Sequence, residues 1–315
     1  KQPSNKSIEM EKSLIKQKLR EMILATGAER VGFAKAEPVD AESFDKFTQW
    51  LAQGRHGGMK YLENYPDIRR DPRLLLDGAK SVISIAFNYY PPQLRDSSLP
   101  YISLYAYGQD YHDVIRKRLK GVCEEIERTW GAQTRICIDS APILERYWAW
   151  RAGLGFQGIN GTFILPGRGS YFFLCEIITT LEIEPNTPIM GDCGGCGRCL
   201  RECPTKAILG NGRIDASRCL SYLTIECRDD WHVAPDIDTP LYGCDRCQLA
   251  CHHNRRAKPT PIEEFHPTGQ MLTLGYDDIA SMTEEDFRLT FRGSAIKRTK
   301  HSGLLRNLTK LRHKE

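Results

Sequence analysis

Between Asp192 and Asn254 the chain carries cysteines at spacings that do chemistry. One run reads Cys193-Gly-Gly-Cys196-Gly-Arg-Cys199-Leu-Arg-Glu-Cys203-Pro204 and a second reads Cys244-Asp-Arg-Cys247-Gln-Leu-Ala-Cys251, with Cys219 and Cys227 between them. The C-x2-C-x2-C-x3-C-P pattern wraps three thiolates around one iron–sulfur cubane and sends the fourth to a neighbouring cluster. Glycines at 194, 195 and 197 suit a backbone that must pass close to an inorganic core. Cys193, Cys196, Cys199 and Cys251 are therefore expected to hold one [4Fe-4S] cluster. Cys203, Cys244 and Cys247 are expected to hold three corners of a second, whose last corner falls to Cys219 or Cys227. The competing reading is a pair of all-cysteine zinc sites. Three cysteines at x2 spacing followed by x3-C-P fit zinc poorly.

The elements that must position such clusters extend well beyond them. The 315 residues are 41% apolar and 27% charged, ordinary values for a soluble globular chain with ample core. The metal-type use of cysteines and the lack of an apolar N-terminal signal region point to a reducing cytoplasm. No apolar run reaches membrane-spanning length. Net charge is only +4, but Arg292 to Glu315 holds eight Lys or Arg against one acidic residue.

Residues 1–7 read as a tail, and Ile15, Leu19, Met22 and Ile23 recur at helical spacing. Val31–Ala34 and Ser81–Phe87 read as strands, with a helix bearing Phe44, Phe47 and Trp50 between them. Arg55–Met59 is a glycine-rich loop that lets backbone approach a ligand. Tyr101–Tyr107 is expected as a strand, followed by a helix capped by Asp110 and striped with Ile115, Leu119, Val122 and Ile126. Arg135–Asp139 is a further strand, and a helix follows through Ala152. Thr162–Leu165 and Ser170–Thr180 are expected to pair across Gly167-Arg-Gly169. Residues up to 185 thus read as an α/β or α+β domain, with a linker over 185–191. Beyond Pro267 only helix is expected, with a capping box at Thr283-Glu-Glu-Asp286.

Clusters alone imply electron transfer, so a second site is expected in the N-terminal domain. Asp139, at a strand end, is the carboxylate best placed for a cleft, although spacing favours a helix cap. His112 reads as a ligand or general acid, or more simply as a first-turn residue packed on the sheet. Gly153-Leu-Gly155-Phe-Gln-Gly158 has dinucleotide-loop spacing but follows a helix, so it reads as a glycine loop of another kind.

Several stretches together resemble epoxyqueuosine reductases. They are Tyr105-Ala-Tyr-Gly-Gln-Asp110-Tyr111-His112, Ile138-Asp139-Ser140-Ala-Pro142-x2-Glu145-Arg146, Ala152-Gly-Leu-Gly-Phe156, Cys219-Leu-Ser221-Tyr-Leu-Thr224-Ile-Glu226 and Gly243-Cys244-Asp245-x-Cys247-Gln248. Arg292-Gly-Ser-Ala-Ile-Lys297-Arg298 and Leu305-Arg306-Asn307 extend the match over nearly the whole chain from about residue 12. The resemblance implies an α+β protein in three parts. These are an α/β cobalamin-binding domain over 8–185, a ferredoxin-like two-cluster domain over 186–262 and a short, basic helical segment over 263–315, a truncated HEAT-like end. It implies two-electron reduction of epoxyqueuosine to queuosine at the tRNA wobble position, with cobalamin fed by two [4Fe-4S] clusters. Asp139 is then the proton donor and Cys219 the eighth cluster ligand. Met59, Tyr111, His112, Asp139, Asn160, Ser221 and Thr224 are expected near the corrin, and Lys297, Arg298 and Arg306 on tRNA phosphates.

The implied partners are tRNA and a reductant protein of flavodoxin or ferredoxin type, for a chain acting as a cytoplasmic monomer. Two positions depart from the family pattern: Ile159 stands where lysine is usual, and His252 follows Cys251 where proline is usual. The rival readings are a reductive dehalogenase-like enzyme for a small molecule and a non-catalytic two-cluster electron carrier.

Overall fold

The computed structural model describes the backbone of residues 5–312 and the side chains of 10–311. The tail expected over 1–7 lies outside the described residues for 1–4, and from Asn5 the chain is helical. Four strands build the central sheet: β1 (Arg30–Lys35), β2 (Ser81–Asn88), β3 (Thr134–Cys137) and β4 (Phe172–Thr179). Their order is β1-β2-β4-β3, and every pairing is antiparallel. The strand–helix–strand order therefore does not make a parallel α/β unit.

β2 is buried along its whole length because helices cover both faces of the sheet. Ile83, Ile85 and Phe87 join the core beneath α1 (Asn5–Leu24) and α3 (Tyr111–Trp130). Val82 and Ala86, on the alternate face, pack in a core that takes Phe44 from α2 (Ala41–Ala52) and Trp148 and Ala149 from α4 (Glu145–Arg151). The period of two along one strand thus serves two cores. The first core also takes in Met271, Ile279, Phe287, Ile296 and Leu308, so the C-terminal helices share the core of the sheet. Thr283 and Asp286 form the expected capping box at Glu284–Thr290. No described helix is long and apolar enough to cross a membrane.

Two expected strands take other forms. Tyr101–Tyr107 makes a single bridge, Ile102 to Tyr242, and a short 3-10 turn over Leu104–Ala106. Its backbone donors are taken elsewhere: Ser103 N–H donates to Tyr242 O at 2.8 Å and Leu104 N–H to the buried Asp245 carboxylate at 2.7 Å. Phe163–Ile164 pairs with Phe156–Gln157 rather than with β4, and only Leu165 and Gly169 bridge across the expected turn. The segment over 185–191 is pinned to β1, since Asn186 and Phe33 exchange hydrogen bonds of 2.8 and 3.0 Å.

The loop after α4 shows why its glycines are needed. A Cβ on Gly155 would stand 2.0 Å from Ile164 O, so the Gly-x-Gly spacing serves backbone packing.

Candidate functional site

Cys193, Cys196, Cys199 and Cys251 line one cavity, together with Ile159, Asn160, Ile164 and His252. Burial and the other three thiols of this set raise the Cys199 thiol. Ile159 adds an apolar wall beside Phe156 and Ile164. His252 Nδ1 lies 3.6 Å from Cys196 Sγ. The second set gathers on the short helix Arg246–Leu249 and at the start of Leu220–Ile225. Burial and the charges of Cys244, Cys219 and Cys203 raise the Cys247 thiol.

Cys227 is buried with Leu220, Leu223 and Trp231, a cluster against which Cys244 packs, and its thiol donates to Asp229 O at 3.5 Å. Among the described residues no three Cys, His, Asp or Glu converge closely enough for a single metal ion. A cubane instead takes one thiolate at each of four separate irons.

Asp245 sits within the second run, and its role emerges only from the fold. Its carboxylate accepts from Tyr101 Oη at 2.9 Å and Ser103 Oγ at 2.5 Å, tying the cluster loop to the segment before α3. Gln248 Nε2 donates to Ser170 O at 3.0 Å, and Asn254 Oδ1 accepts from Ser170 N–H at 2.7 Å. The second cysteine run is thereby fixed to the start of β4.

Asp139 follows β3 directly, where the antiparallel edge ends. It is not a helix cap: the N-cap of α4 is Leu144, which makes no side-chain capping bond. Asp139 adopts φ +47°, a left-handed conformation that few non-glycine residues take without support. Its side chain is 60% exposed. Tyr111 Oη donates to Asp139 Oδ2 at 2.7 Å, and His112 Nε2 stands 3.3 Å from the same oxygen. Asp110 caps α3 through His112 N–H and also meets His112 Nδ1 at 2.8 Å. The Tyr111 ring lies flat on Phe173, with centroids 4.3 Å apart and planes at 10°. Such stacking contributes about 0.5–1.5 kcal/mol beyond burial and fixes the phenol's direction.

A proton donor at Asp139 would be expected to sit above the usual carboxylate range, and the charges around it act the other way. Burial disfavours a charged Asp139, but His112 and Tyr111 outweigh it and hold the carboxyl below its usual range. Burial also opposes charge on His112, yet Asp110 and Asp139 lift the imidazole to about 9. At neutral pH the proton of this pair therefore resides on His112. Burial and Asp139 push the neighbouring Glu145 up to about 8. Tyr61, raised to about 12 by burial, Glu226 and Asp139, completes the ring of groups. Tyr61 carries no sequence signal of its own, and although Glu226 ends a matched stretch, only folding brings 61, 139 and 226 together.

The other expected contacts divide. Met59 is half-buried beside Gly58, whose N–H donates to Tyr222 Oη at 2.5 Å, and Ser221 is half-buried on the same helix as Tyr222. Asn160 keeps its Nδ2 buried without a partner on the wall of the first cysteine cavity. Thr224 uses its hydroxyl within the chain. It is fully buried, donates to Leu220 O at 2.7 Å and accepts from Gly243 N–H at 2.9 Å.

The three basic residues expected on phosphates are engaged within the chain. Lys297 pairs with Asp110 at 2.9 Å, and Arg298 grips Glu226 at 2.8 and 2.9 Å above the Tyr61 ring. Arg306 donates to Cys227 O at 2.8 Å, Asp229 O at 3.0 Å and Leu223 O at 3.3 Å. Arg306→Ala is accordingly expected to destabilise the fold by about 1–3 kcal/mol through orphaned carbonyls, without changing the salt dependence of RNA binding. A thermal melt paired with binding at several salt concentrations checks it. A smaller salt slope with an unchanged melt would restore the phosphate role.

Among known proteins, residues 69–140 match the family described as epoxyqueuosine reductase QueG, DUF1730, and residues 192–254 match a 4Fe-4S double cluster binding domain. An epoxyqueuosine reductase of Leadbetterella byssophila is 41% identical over 285 residues, covering 90% of this chain and 93% of that protein. A crystal structure of epoxyqueuosine reductase with an epoxyqueuosine-modified tRNA-Tyr stem loop superposes with a TM-score of 0.85 at 28% identity, covering 95% of this chain and 81% of that one. The Bacillus subtilis epoxyqueuosine reductase, solved with its catalytic aspartate loop swung out of the active site, superposes at 0.86 with the same identity and coverage.

Proposed function

The chain belongs to the epoxyqueuosine reductase family, and on that premise we propose that it reduces epoxyqueuosine to queuosine at the wobble position of tRNA. Both C–O bonds of the epoxide break, a C=C bond remains, and the oxygen leaves as water at the expense of two electrons and two protons. The observation that carries the reading is the pairing, in one chain, of two four-cysteine sets with the hydrogen-bonded Asp139–His112–Tyr111 group.

Cys193, Cys196, Cys199 and Cys251 hold one [4Fe-4S] cluster, and Cys203, Cys219, Cys244 and Cys247 hold the other. Electrons enter singly from a flavodoxin- or ferredoxin-type protein. The chain works as a cytoplasmic monomer.

The family implies cobalamin between clusters and substrate. The residues fit a large group with a polar rim: Asn160 Nδ2 is a buried donor left without a partner, and Tyr111 and His112 present stacked rings beside Asp139. Tyr111, His112, Asp139, Asn160, Met59 and Ser221 would hold it, and its cobalt, when bound, supplies reducing equivalents to carbon. Asp139 protonates the departing oxygen, Tyr111 orients its carboxyl, and His112 restores the proton. In the Bacillus subtilis relative the catalytic aspartate loop is swung out of the active site, and the Asp139 loop moves outward in the same way. Among the described residues Arg292 and Lys300 are exposed tail cations outside any ion pair, and they meet the tRNA backbone.

Anaerobic reconstitution with iron, sulfide and cobalamin, followed by mass analysis of nucleosides from epoxyqueuosine-containing tRNA, tests the reading. Queuosine, lighter by one oxygen, should accumulate with reductant. Intact epoxyqueuosine after full cluster and corrin loading would sink it. Changing Arg292 and Lys300 to Ala should lower the salt slope of tRNA binding by about 0.7–0.9 for each phosphate no longer neutralised. An unaltered slope removes both from the interface.

A further inference from the structure

We propose that Glu145 is a positioning residue of this site: while protonated it latches the Asp139 loop inward, and its ionisation releases the loop. Asp139 N–H donates to Glu145 Oε1 at 2.6 Å. Ser140 N–H turns back on Ile138 O, so residues 138–140 form a tight turn centred on the left-handed Asp139. A non-glycine residue keeps that conformation only where its surroundings hold it. Beyond this turn the Asp139 backbone has one side-chain partner, and Glu145 supplies it from the first residue of α4.

The latch is sensitive to charge because of what encloses it. Glu145 faces Asp139 after β3, Tyr111 and His112 on α3, Cys137 on β3, Cys175 and Glu176 on β4, and Arg146 on its own helix. Glu176 is wholly buried, with Ser84 Oγ donating to Oε1 at 3.1 Å and Oε2 unpartnered. Such surroundings hold one negative charge, on Asp139 against His112, and disfavour a second. Burial and Asp139 accordingly push Glu145 to about 8. A neutral Glu145 still accepts from Asp139 N–H through its carbonyl oxygen. Ionisation strengthens that acceptor, but the like charge it sets against Asp139 is the larger effect, and swinging the loop outward relieves it.

The kinetic part of this inference rests on Asp139 being the acid, whereas the loop part does not. Hydrogen exchange of the peptide over 138–144, corrected for base catalysis, is measured on the cluster-loaded protein from pH 6.5 to 9.5 beside single-turnover rates. In the wild type the loop should open as pH rises through about 8. Glu145→Gln, a neutral isostere with the same acceptor, should stay protected past that point and lose rate only nearer 9, where His112 deprotonates. Glu145→Ala should expose the loop at every pH and lower the single-turnover rate about 10²-fold by misplacing the acid.

An alkaline opening in Glu145→Gln like that of the wild type, or full protection in Glu145→Ala, would overturn the latch. Iron content guards against a misfolded Ala variant, and the Gln variant decides the matter without it. Wild-type turnover by Asp139→Asn, together with an open loop in Glu145→Ala, would remove Asp139 as acid and still support the latch.

Discussion

Asp139→Asn should retain full iron and corrin content yet convert epoxyqueuosine in tRNA about 10²–10⁴-fold more slowly in a single turnover, the usual cost of a lost general acid. The asparagine keeps the shape of the side chain and an oxygen for Tyr111 Oη, but it has no proton to yield. The proton source is the pair rather than the carboxyl alone. Asp139 lies below its usual range and His112 is lifted to about 9. At pH 7 the pair therefore holds one proton, on the imidazole, 3.3 Å from Asp139 Oδ2.

When a flat ligand and substrate displace water from the cleft, desolvation raises the carboxyl and lowers the imidazole. Both changes move the proton toward Asp139, where the leaving oxygen needs it. The sign of the pH dependence follows. His112 is charged below about 9 and neutral above it, so turnover should fall as pH rises through that value, beyond the loop release expected near 8. His112→Gln should lose the step near 9. Wild-type turnover by Asp139→Asn would transfer the acid role to Tyr111 or His112.

Much of this site can be read along the chain, and what cannot be read has physical causes. The grouping of Cys193, Cys196 and Cys199 is legible because that loop is local, and the fold brings the distant Cys251 to line the same cavity. Asp110 announces α3 as an N-cap, and α3 in turn delivers Tyr111 and His112. The Tyr101–Tyr107 segment misleads because its alternation suits a strand, while its donors go to Tyr242 and Asp245, more than a hundred residues away. Likewise Ser170–Thr180 needs a partner, and the nearest run in sequence is not the one it finds: β2 and β3 flank β4 instead. The basic tail reads as a phosphate surface by composition alone. Composition carries no account of Asp110, Glu226 and the carbonyls around Cys227, which occupy Lys297, Arg298 and Arg306. Glu145 lies only six residues beyond Asp139, and no spacing rule reveals that its carboxyl returns to the Asp139 backbone.

Cys219→Ala should lose one whole cluster, taking iron from about eight to about four per chain, while Cys227→Ala keeps about eight. The two thiols differ in what surrounds them. Cys219 is raised by burial and by the charge of Cys203, while the N–H groups of Tyr222 and Ser221 favour its thiolate. Those donors suit a metal-bound sulfur. Cys227 lies among Leu220, Leu223 and Trp231 and gives its S–H to Asp229 O, the position of an inert buried thiol. Removing its sulfur should cost about 0.5–3 kcal/mol of stability, as typical single substitutions do. Removing Cys219 costs more than a ligand. Cluster binding is coupled to folding of the loops that carry the thiolates, so Cys203, Cys244 and Cys247 would lose their common anchor. Electron delivery would stop with them, and turnover with an external protein reductant should fall below detection. Iron and sulfide counts on both variants, purified anaerobically, decide the assignment: a full complement in Cys219→Ala, or half of one in Cys227→Ala, would exchange the two roles.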